Sequence, residues 1–180
     1  MLLFSSKPQL KYTWLLLTFF MPFQAIASPS EYELKAAFLY NLGNFITWPA
    51  KAYSSEDAPF FLCILGNDPF GENLDLITNN QKIAGRSIQI TRLSNEVDAR
   101  GCQLVFISNS EQHKMSKILN TLKNYPVLTV GDTDDFIDQG GMIMFVTVDN
   151  KVKLTVFPER ISNLSLKASA KLLQISKIIK

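Results

Sequence analysis

The chain has 180 residues, with 18 Lys and Arg against 16 Asp and Glu and a formal net charge of +2. Lys7 and Lys11 lie in an amino-terminal segment that we expect to be removed, which leaves 16 basic residues (18 minus 2) against 16 acidic ones and excludes the basic excess typical of nucleic-acid-binding proteins. The single histidine excludes metal sites that need two imidazoles.

The first 27 residues predict a cleaved signal peptide. They have a basic start and no acidic residue, an apolar run from Tyr12 to Met21, and the small-x-small cleavage site Ala25-Ile26-Ala27. An uncleaved membrane anchor is the alternative, but a spanning helix needs about 18 or more apolar residues, and Pro22 interrupts this run. We therefore expect export to the periplasm, cleavage after Ala27 and one domain over residues 28–180.

A helix is predicted at the start of this domain. Ser30 and Glu33 fit a capping box. Apolar residues then recur at helical spacing, at Leu34, Phe38, Leu42 and Phe45. Pro49 predicts that the helix ends before it.

The middle of the chain alternates apolar strands with helical segments. The predicted strands are 60–65, 87–93, 103–108 and 126–132, and the predicted helical segments are 68–80 and 110–124. This alternation favours a mainly parallel sheet with helices on both faces. A flavodoxin-like strand order would place the first of these strands between the second and the third.

The last part of the chain predicts a hairpin followed by a helix. Residues 142–150 and 151–157 read as antiparallel strands joined by a tight turn at Asp149-Asn150. A long closing helix is predicted from about Glu159 to Ile178. The predicted fold is a single-domain three-layer α/β sandwich, with a mainly parallel sheet, an antiparallel hairpin at its edge and helices on both faces.

The two cysteines, Cys63 and Cys102, predict a disulfide bond. An exported protein enters a compartment in which disulfides persist. The flavodoxin-like order also places the two residues on neighbouring strands. Two buried, unpaired thiols are the alternative.

The chemistry-bearing residues predict no catalytic site, no metal site and no cofactor. His113 lies on the polar side of its predicted helix, and no G-x-S-x-G motif surrounds Ser108 or Ser110. The glycines form no nucleotide-binding motif. A receiver domain carries an aspartate at the end of its third strand, where this chain has Ser108.

Five residues are candidates for contact with a partner or ligand. Trp48 is of a type favoured at interface hot spots, although packing under the loop 49–59 is the alternative, and Phe70 is open to the same two interpretations. Arg86, Asp132 and Arg160 are polar groups close to predicted loops.

A series of motifs, in order along the chain, is similar to the YfiR family of periplasmic regulators. The motifs are EYELKAAFLYNLGNFITWP, FLCILGNDPFG, GRSIQI, GCQLVFIS, PVLTVGD, GGMIMFV followed by DNKVKLTV, and SAKLLQISKII. The similarity runs from Glu31 to about Ile178.

The resemblance implies a regulator, not an enzyme, that represses an inner-membrane diguanylate cyclase through its periplasmic part and so lowers cyclic di-GMP signalling and biofilm formation. It also implies a disulfide at Cys63 and Cys102. The second disulfide of some members has no counterpart here, and Phe157-Pro158-Glu159 stands where members tend to carry a polar turn.

Other partners and functions remain open. An outer-membrane lipoprotein that sequesters the regulator and a homodimer are both compatible with the resemblance. A periplasmic small-ligand-binding protein with a crevice at Asp68, Ser110 and Asp132 is the alternative function. A hydrolase would need a nucleophile about 3 Å from His113.

Overall fold

The computed structural model describes residues 29–149 and 151–180. The strands are β1 (Ile46–Thr47), β2 (Phe60–Leu65), β3 (Lys82–Ile83), β4 (Arg86–Leu93), β5 (Leu104–Ile107), β6 (Leu128–Gly131), β7 (Ile143–Val148), β8 (Lys151–Val156), β9 (Lys167–Ala168) and β10 (Ser176–Ile178). The helices are α1 (Glu31–Phe45), α2 (Glu72–Thr78), α3 (Met115–Leu122), α4 (Pro158–Asn163) and α5 (Ala170–Gln174), with 3-10 turns η1 (Ala50–Ala52), η2 (Asp98–Gly101) and η3 (Asn109–Lys114). The predicted signal peptide and Asn150 of the predicted turn lie outside the described residues.

The main sheet has the order β10-β8-β7-β6-β5-β2-β4-β3. From β4 to β7 all neighbours are parallel, and β2 lies between β4 and β5. The predicted flavodoxin-like placement of residues 60–65 is therefore confirmed. The fold is the mixed α/β architecture with a mainly parallel sheet that the alternating pattern predicts.

The central strands are apolar on both faces because helical segments cover both. In β2, Leu62 and Ile64 face a first core with α1, while Cys63 and Leu65 face a second core with α3. The second core takes from α3 the four residues that helical spacing predicts, Met115, Ile118, Leu119 and Leu122. Burial on both faces explains why these strands are continuous apolar runs.

Helix α1 begins as predicted but buries a different face. The Glu33 backbone N–H donates to Ser30 Oγ at 3.3 Å, and the Ser30 N–H donates to Glu33 Oε2 at 2.6 Å, which completes the capping box. The buried residues are Lys35, Ala36, Leu39, Leu42 and Gly43, so of the predicted face only Leu42 is fully buried. On this buried face Gly43 allows the close approach of Ile83, because an added Cβ would stand 2.4 Å from the Ile83 side chain.

The predicted long closing helix is wrong. The segment instead forms α4, β9, α5 and β10 in succession. Ser165 interrupts the helix with a φ of +63°, and Ser169 caps α5 by accepting from the Leu172 N–H. The physical reason is pairing at long range, because β9 pairs with β1 and β10 pairs with β8, and these contacts satisfy backbone groups that a helix would leave open in β8.

The predicted hairpin forms, but it does not lie at the sheet edge. β7 and β8 are antiparallel, with Val148 opposite Lys151 and a φ of +51° at Asp149. β10 lies beyond β8 and is parallel to it, so β10 forms this edge. The short antiparallel strand β3 forms the other edge, which the sequence pattern did not predict.

Cys63 and Cys102 form a disulfide in the structure, as predicted. Cys63 lies in the middle of β2, and Cys102 lies two residues before β5. Their Cα atoms are 6.2 Å apart, and both residues are buried in the second core.

Candidate functional site

The loops that follow the parallel strands meet at the carboxyl-end edge of the sheet, the usual ligand site of open α/β folds. Residues 66–71 follow β2, residues 108–111 follow β5, and residues 132–135 follow β6. The Phe70 ring lies 5.8 Å from the Tyr32 ring of α1, and the Tyr32 hydroxyl reaches Asp132. This edge, together with the first turns of α1, is the candidate site that the fold assembles.

Asp132 and Lys35 form a buried ion pair at this edge. Lys35 Nζ lies 2.7 Å from Asp132 Oδ2, and each side chain is only 5% exposed. The Tyr32 hydroxyl donates to the same carboxylate oxygen at 3.0 Å. Lys35 also pairs with Glu31 at 2.6 Å, and Glu31 accepts from the Thr147 hydroxyl at 2.9 Å.

The pKa values of Lys35 and Glu31 are shifted toward the charged form of each side chain. Burial alone would lower the pKa of Lys35, but the hydrogen bonds with Asp132 and Glu31 outweigh it and raise the pKa. The hydrogen bond from Lys35, followed by the one from Thr147, lowers the pKa of Glu31. Burial, and then the negative charge of Asp132, raises the pKa of Tyr32. A lysine held in its protonated form is neither a nucleophile nor a base, so the network ties α1 to the sheet.

The loops after β2 and β5 interlock through Ser110. The Asn67 backbone N–H donates to Ser110 Oγ at 2.9 Å, and Ser108 Oγ accepts from the Ser110 N–H at 3.3 Å. Gly66 permits this close approach, because its φ is +89° and an added Cβ would stand 2.5 Å from Ser110 Oγ. The serine that the crevice hypothesis singled out therefore holds the neighbouring loop.

Asp68 also binds groups of the protein itself. One carboxylate oxygen accepts from the Phe70 N–H at 2.7 Å, and the other accepts from Arg92 Nε at 2.8 Å. Arg92 also pairs with Asp75 on α2 at 2.5 Å. Asp68, Ser110 and Asp132 thus each bind groups of the protein itself. In the same edge, Thr133 Oγ1 and Asp135 Oδ1 of the loop after β6 are buried without a hydrogen-bond partner among the described residues.

Of the five predicted contact residues, the two aromatic ones belong to the core. Trp48 is 7% exposed, packs on the Phe60 ring at 4.9 Å and donates from its indole N–H to the Gln103 carbonyl at 3.0 Å. Phe70 is 2% exposed and stacks edge to face on Phe106 at 4.8 Å. Both side chains therefore offer little surface to a partner, and their burial fits the alternative interpretation, packing in the core.

The polar candidates lie at separate places in the fold. Arg86 stacks on the Tyr53 ring at 3.8 Å and donates to the carbonyls of Ser55 and Ala58, near Trp48 and away from the carboxyl-end edge. Arg160 stacks on Phe157 at 4.0 Å and donates to the carbonyls of Ile137 and Gly141. The structure therefore brings Phe70 and Asp132 together through Tyr32 and places Arg86 beside Trp48, but the five residues do not form one site.

The sequence does not predict the structural roles of two buried polar residues, Lys35 and Gln103. Lys35 is buried on α1, and its only signal in the sequence is the i, i+4 spacing from Glu31. Gln103 is 2% exposed, and its side chain accepts from the Phe61 N–H at 2.7 Å and donates to the Ala52 carbonyl. No local pattern marks Gln103, because its partners are 42 and 51 residues away.

His113 is exposed on η3, as the polar side of the predicted helix indicates. Over residues 29–149 and 151–180, no group of three or more His, Cys, Asp and Glu residues has the geometry to hold a metal ion. In the same part of the chain, no helix has the length and hydropathy of a membrane-spanning segment.

The protein is thus of the class of single-domain α/β proteins with a mainly parallel sheet. The polar residues at the carboxyl-end edge of this sheet bind one another and hold the loops in place. The profile of the family described as YfiR/HmsC-like matches residues 32–177. The chain belongs to this family, which is known for periplasmic regulators of diguanylate cyclases. Comparison with curated proteins gives no match.

Proposed function

We propose that this protein is an exported repressor of an inner-membrane diguanylate cyclase and that it acts by binding the periplasmic part of that enzyme. The observation that carries the proposal is the family match over residues 32–177. Repression would lower cyclic di-GMP and, with it, biofilm formation. The protein itself would transfer no group and cleave no bond.

The geometry of the sheet edge favours protein binding over capture of a small ligand. A ligand pocket offers a few convergent polar groups that are unpaired until the ligand arrives. Here Asp68, Ser110 and Asp132 are already engaged by Arg92, Asn67 and Lys35. This arrangement stiffens the domain, and a rigid surface loses little conformational entropy on binding a protein.

Export through a signal peptide over residues 1–27 is part of the proposal. The disulfide between Cys63 and Cys102 supports it, because such bonds form and persist in the periplasm and are rare in the cytosol. The first core includes Ala36, Leu39 and Leu42 of α1, which supports residues 28–180 as the domain that acts after cleavage.

The test is deletion of the gene in its own cell. We expect cyclic di-GMP and surface attachment to rise, and a plasmid copy of the full chain to restore both. The matched control is a copy that lacks residues 2–27, which should be made in the cytosol and fail to restore repression. Unchanged cyclic di-GMP in a deletion strain that carries a cyclase with a periplasmic part would refute the proposal.

A further inference from the structure

The second face of the sheet is only partly covered. Over β2 and β5 this face packs on α3, and the loop after β6 adds Phe136 and Ile137. Beyond this loop, a groove of about 530 Å³ runs over β7, β8 and β10. Its lining residues include Met144, Val146, Val148, Lys153, Ile175 and Lys177.

Strand alternation shows which side chains point into this groove. Ile143 and Phe145 of β7 belong to the first core, and Met144 packs against the second core. Val146 and Val148 therefore share the face of Met144. Val146 is half-buried, as Met144 is, whereas Val148 is 40% exposed and Ile175, which lines the same groove, is 52% exposed.

The groove carries lysines beside its apolar stripe. The strand register places Lys153 opposite Val146, Lys151 opposite Val148, and Lys177 next to Thr155, which pairs with Met144. All three lysines are exposed, and the ion pairs among the described residues involve none of them. Asp134 and Asp138 border the groove on the side of the β6 loop.

Lysines near a sheet edge also deter unwanted strand pairing, so the positive charges alone indicate nothing more. This groove has a second feature that edge protection does not explain, because the exposed apolar side chains of Val148 and Ile175 lie beside the lysines. Burying Val146, Val148 and Ile175 favours an apolar partner surface, and the adjacent lysines favour carboxylates on it.

We propose that this open face of β7, β8 and β10 is the docking surface for the regulated protein, which contributes an apolar segment with carboxylates that lie over β8 and β10. The inference rests on the proposed function, because the occupant is the protein that is repressed. The contact buries the stripe of Val146 and Val148 and pairs the carboxylates with Lys153 and Lys177.

Photocrosslinking in the intact cell tests the location. A photoreactive phenylalanine analogue replaces Val148 or Ile175 in the full chain, and the control positions are Leu76 and Val97, which are 69% and 44% exposed elsewhere on the molecule. We expect crosslinks to the cyclase from the first pair of positions and none from the second. Crosslinks only to a second copy of the chain, only within the chain, or to the cyclase only from Leu76 or Val97 would overturn the inference.

Charge reversal tests the chemistry. In the variant Lys153→Glu, Lys177→Glu, we expect association with the full-length, detergent-solubilised cyclase to weaken at least about tenfold, because like charges would now face each other. The control variant Lys82→Glu, Lys123→Glu makes the same change in net charge at exposed sites outside the groove and should bind as the parent does. Thermal melts of both variants confirm that each is folded.

The outcomes separate this inference from the proposed function. If the parent binds the cyclase and the groove variant binds equally well, the docking surface is wrong and the repressor function stands. If the parent does not bind and gene deletion leaves cyclic di-GMP unchanged, the repressor function itself is wrong, and the inference falls with it. A groove variant that binds tenfold more weakly while the control is unchanged supports the inference.

Discussion

Lys35 is a buried cation whose partners come from distant parts of the chain. Asp132 is 97 residues away in sequence, and its contact with Lys35 is shielded from water on both sides. A buried pair contributes modest net stability, because desolvation offsets most of the attraction, but removing one partner leaves an uncompensated charge. The pair therefore fixes where α1 docks more than it adds to the free energy of unfolding.

Lys35→Met should destabilise the domain by about 3 to 5 kcal/mol, because it leaves the buried Asp132 carboxylate with only the Tyr32 hydroxyl as a partner. The double variant Lys35→Met, Asp132→Asn should be more stable than the single one, since it removes the orphaned charge. Urea unfolding measures both. The matched control is Lys114→Met, which breaks a partly exposed pair with Glu111 and should cost below about 1 kcal/mol.

An equal loss in Lys35→Met and Lys114→Met would contradict the burial of the Lys35 pair. A double variant that is less stable than Lys35→Met would show that the asparagine cannot replace the aspartate as an acceptor for Tyr32.

Gly66→Ala should destabilise the protein by about 1 to 3 kcal/mol, because alanine is strained at positive φ and its Cβ would clash with Ser110. Gly101→Ala is the control, since Gly101 has open space around its Cβ position, and its effect should stay within about 0.5 kcal/mol. Equilibrium unfolding compares the two variants. Equal effects would show that the loops after β2 and β5 are not interlocked.

At the scale of elements, local spacing fails to predict the structure of the segment from Pro158 to Ile178. Its apolar residues have a spacing that a helix would also produce, yet Ile161, Leu166 and Leu172 are buried from three separate pieces of chain. What breaks the helix is not local. Strand β8 would otherwise expose a row of unpaired backbone groups, and residues 176–178 pair with them.

Ile179→Pro should weaken this edge, because it removes the hydrogen bond from the Ile179 N–H to the Val156 carbonyl, which is 2.9 Å long. We expect a loss of about 1 kcal/mol and faster amide exchange in β8. Lys180→Pro, one residue further on, is the control and should leave β8 unchanged. If the amide groups of β8 exchange equally slowly in both variants and in the parent, β10 does not pair with β8.

The parts of the fold that the sequence predicts well are those set by local patterns. The capping box of Ser30 and Glu33 and the apolar run of β2 follow from spacing alone, and alternation of strands and helices then predicts the order around β2. The edges of the sheet depend on pairing between remote segments, as β10 with β8 shows. The candidate site is equally non-local. The sequence predicts Asp132 only as a polar group near a loop, and the burial of its partner Lys35 depends on a contact between residues 97 positions apart.

At the scale of the whole molecule, the Cys63–Cys102 bond ties the centre of the sheet together. The double variant Cys63→Ser, Cys102→Ser should lose about 4 kcal/mol, the chain-entropy figure for a loop of this length. We expect a lower melting temperature and a lower periplasmic level, with the fold retained because both cores remain. Thermal melts and immunoblots of periplasmic extracts measure these effects.

Thiol labelling of the parent supplies the control for this prediction. The native protein should react only after reduction, since both sulfurs are bonded and buried. Rapid labelling of two thiols without reductant, or an unchanged melting temperature in the double variant, would contradict it.

Export makes a separate prediction about the amino terminus. Cleavage after Ala27 should leave Ser28 as the first residue of the periplasmic protein, because Ala25 and Ala27 fit the specificity for small residues at a signal cleavage site. Intact-mass measurement of the purified periplasmic protein checks this. A mass that includes residues 1–27 would refute cleavage.

The disulfide also has a topological consequence. The chain between Cys63 and Cys102 contains α2, β3 and β4, and β4 pairs only with β2 and β3 in the sheet. The disulfide therefore joins the two ends of the segment that contains these elements. A protease that cuts the exposed residues 94–95 would nick this segment without releasing either fragment, and the two pieces would separate on a gel only after reduction. The bond would thus keep the two pieces of a nicked chain together.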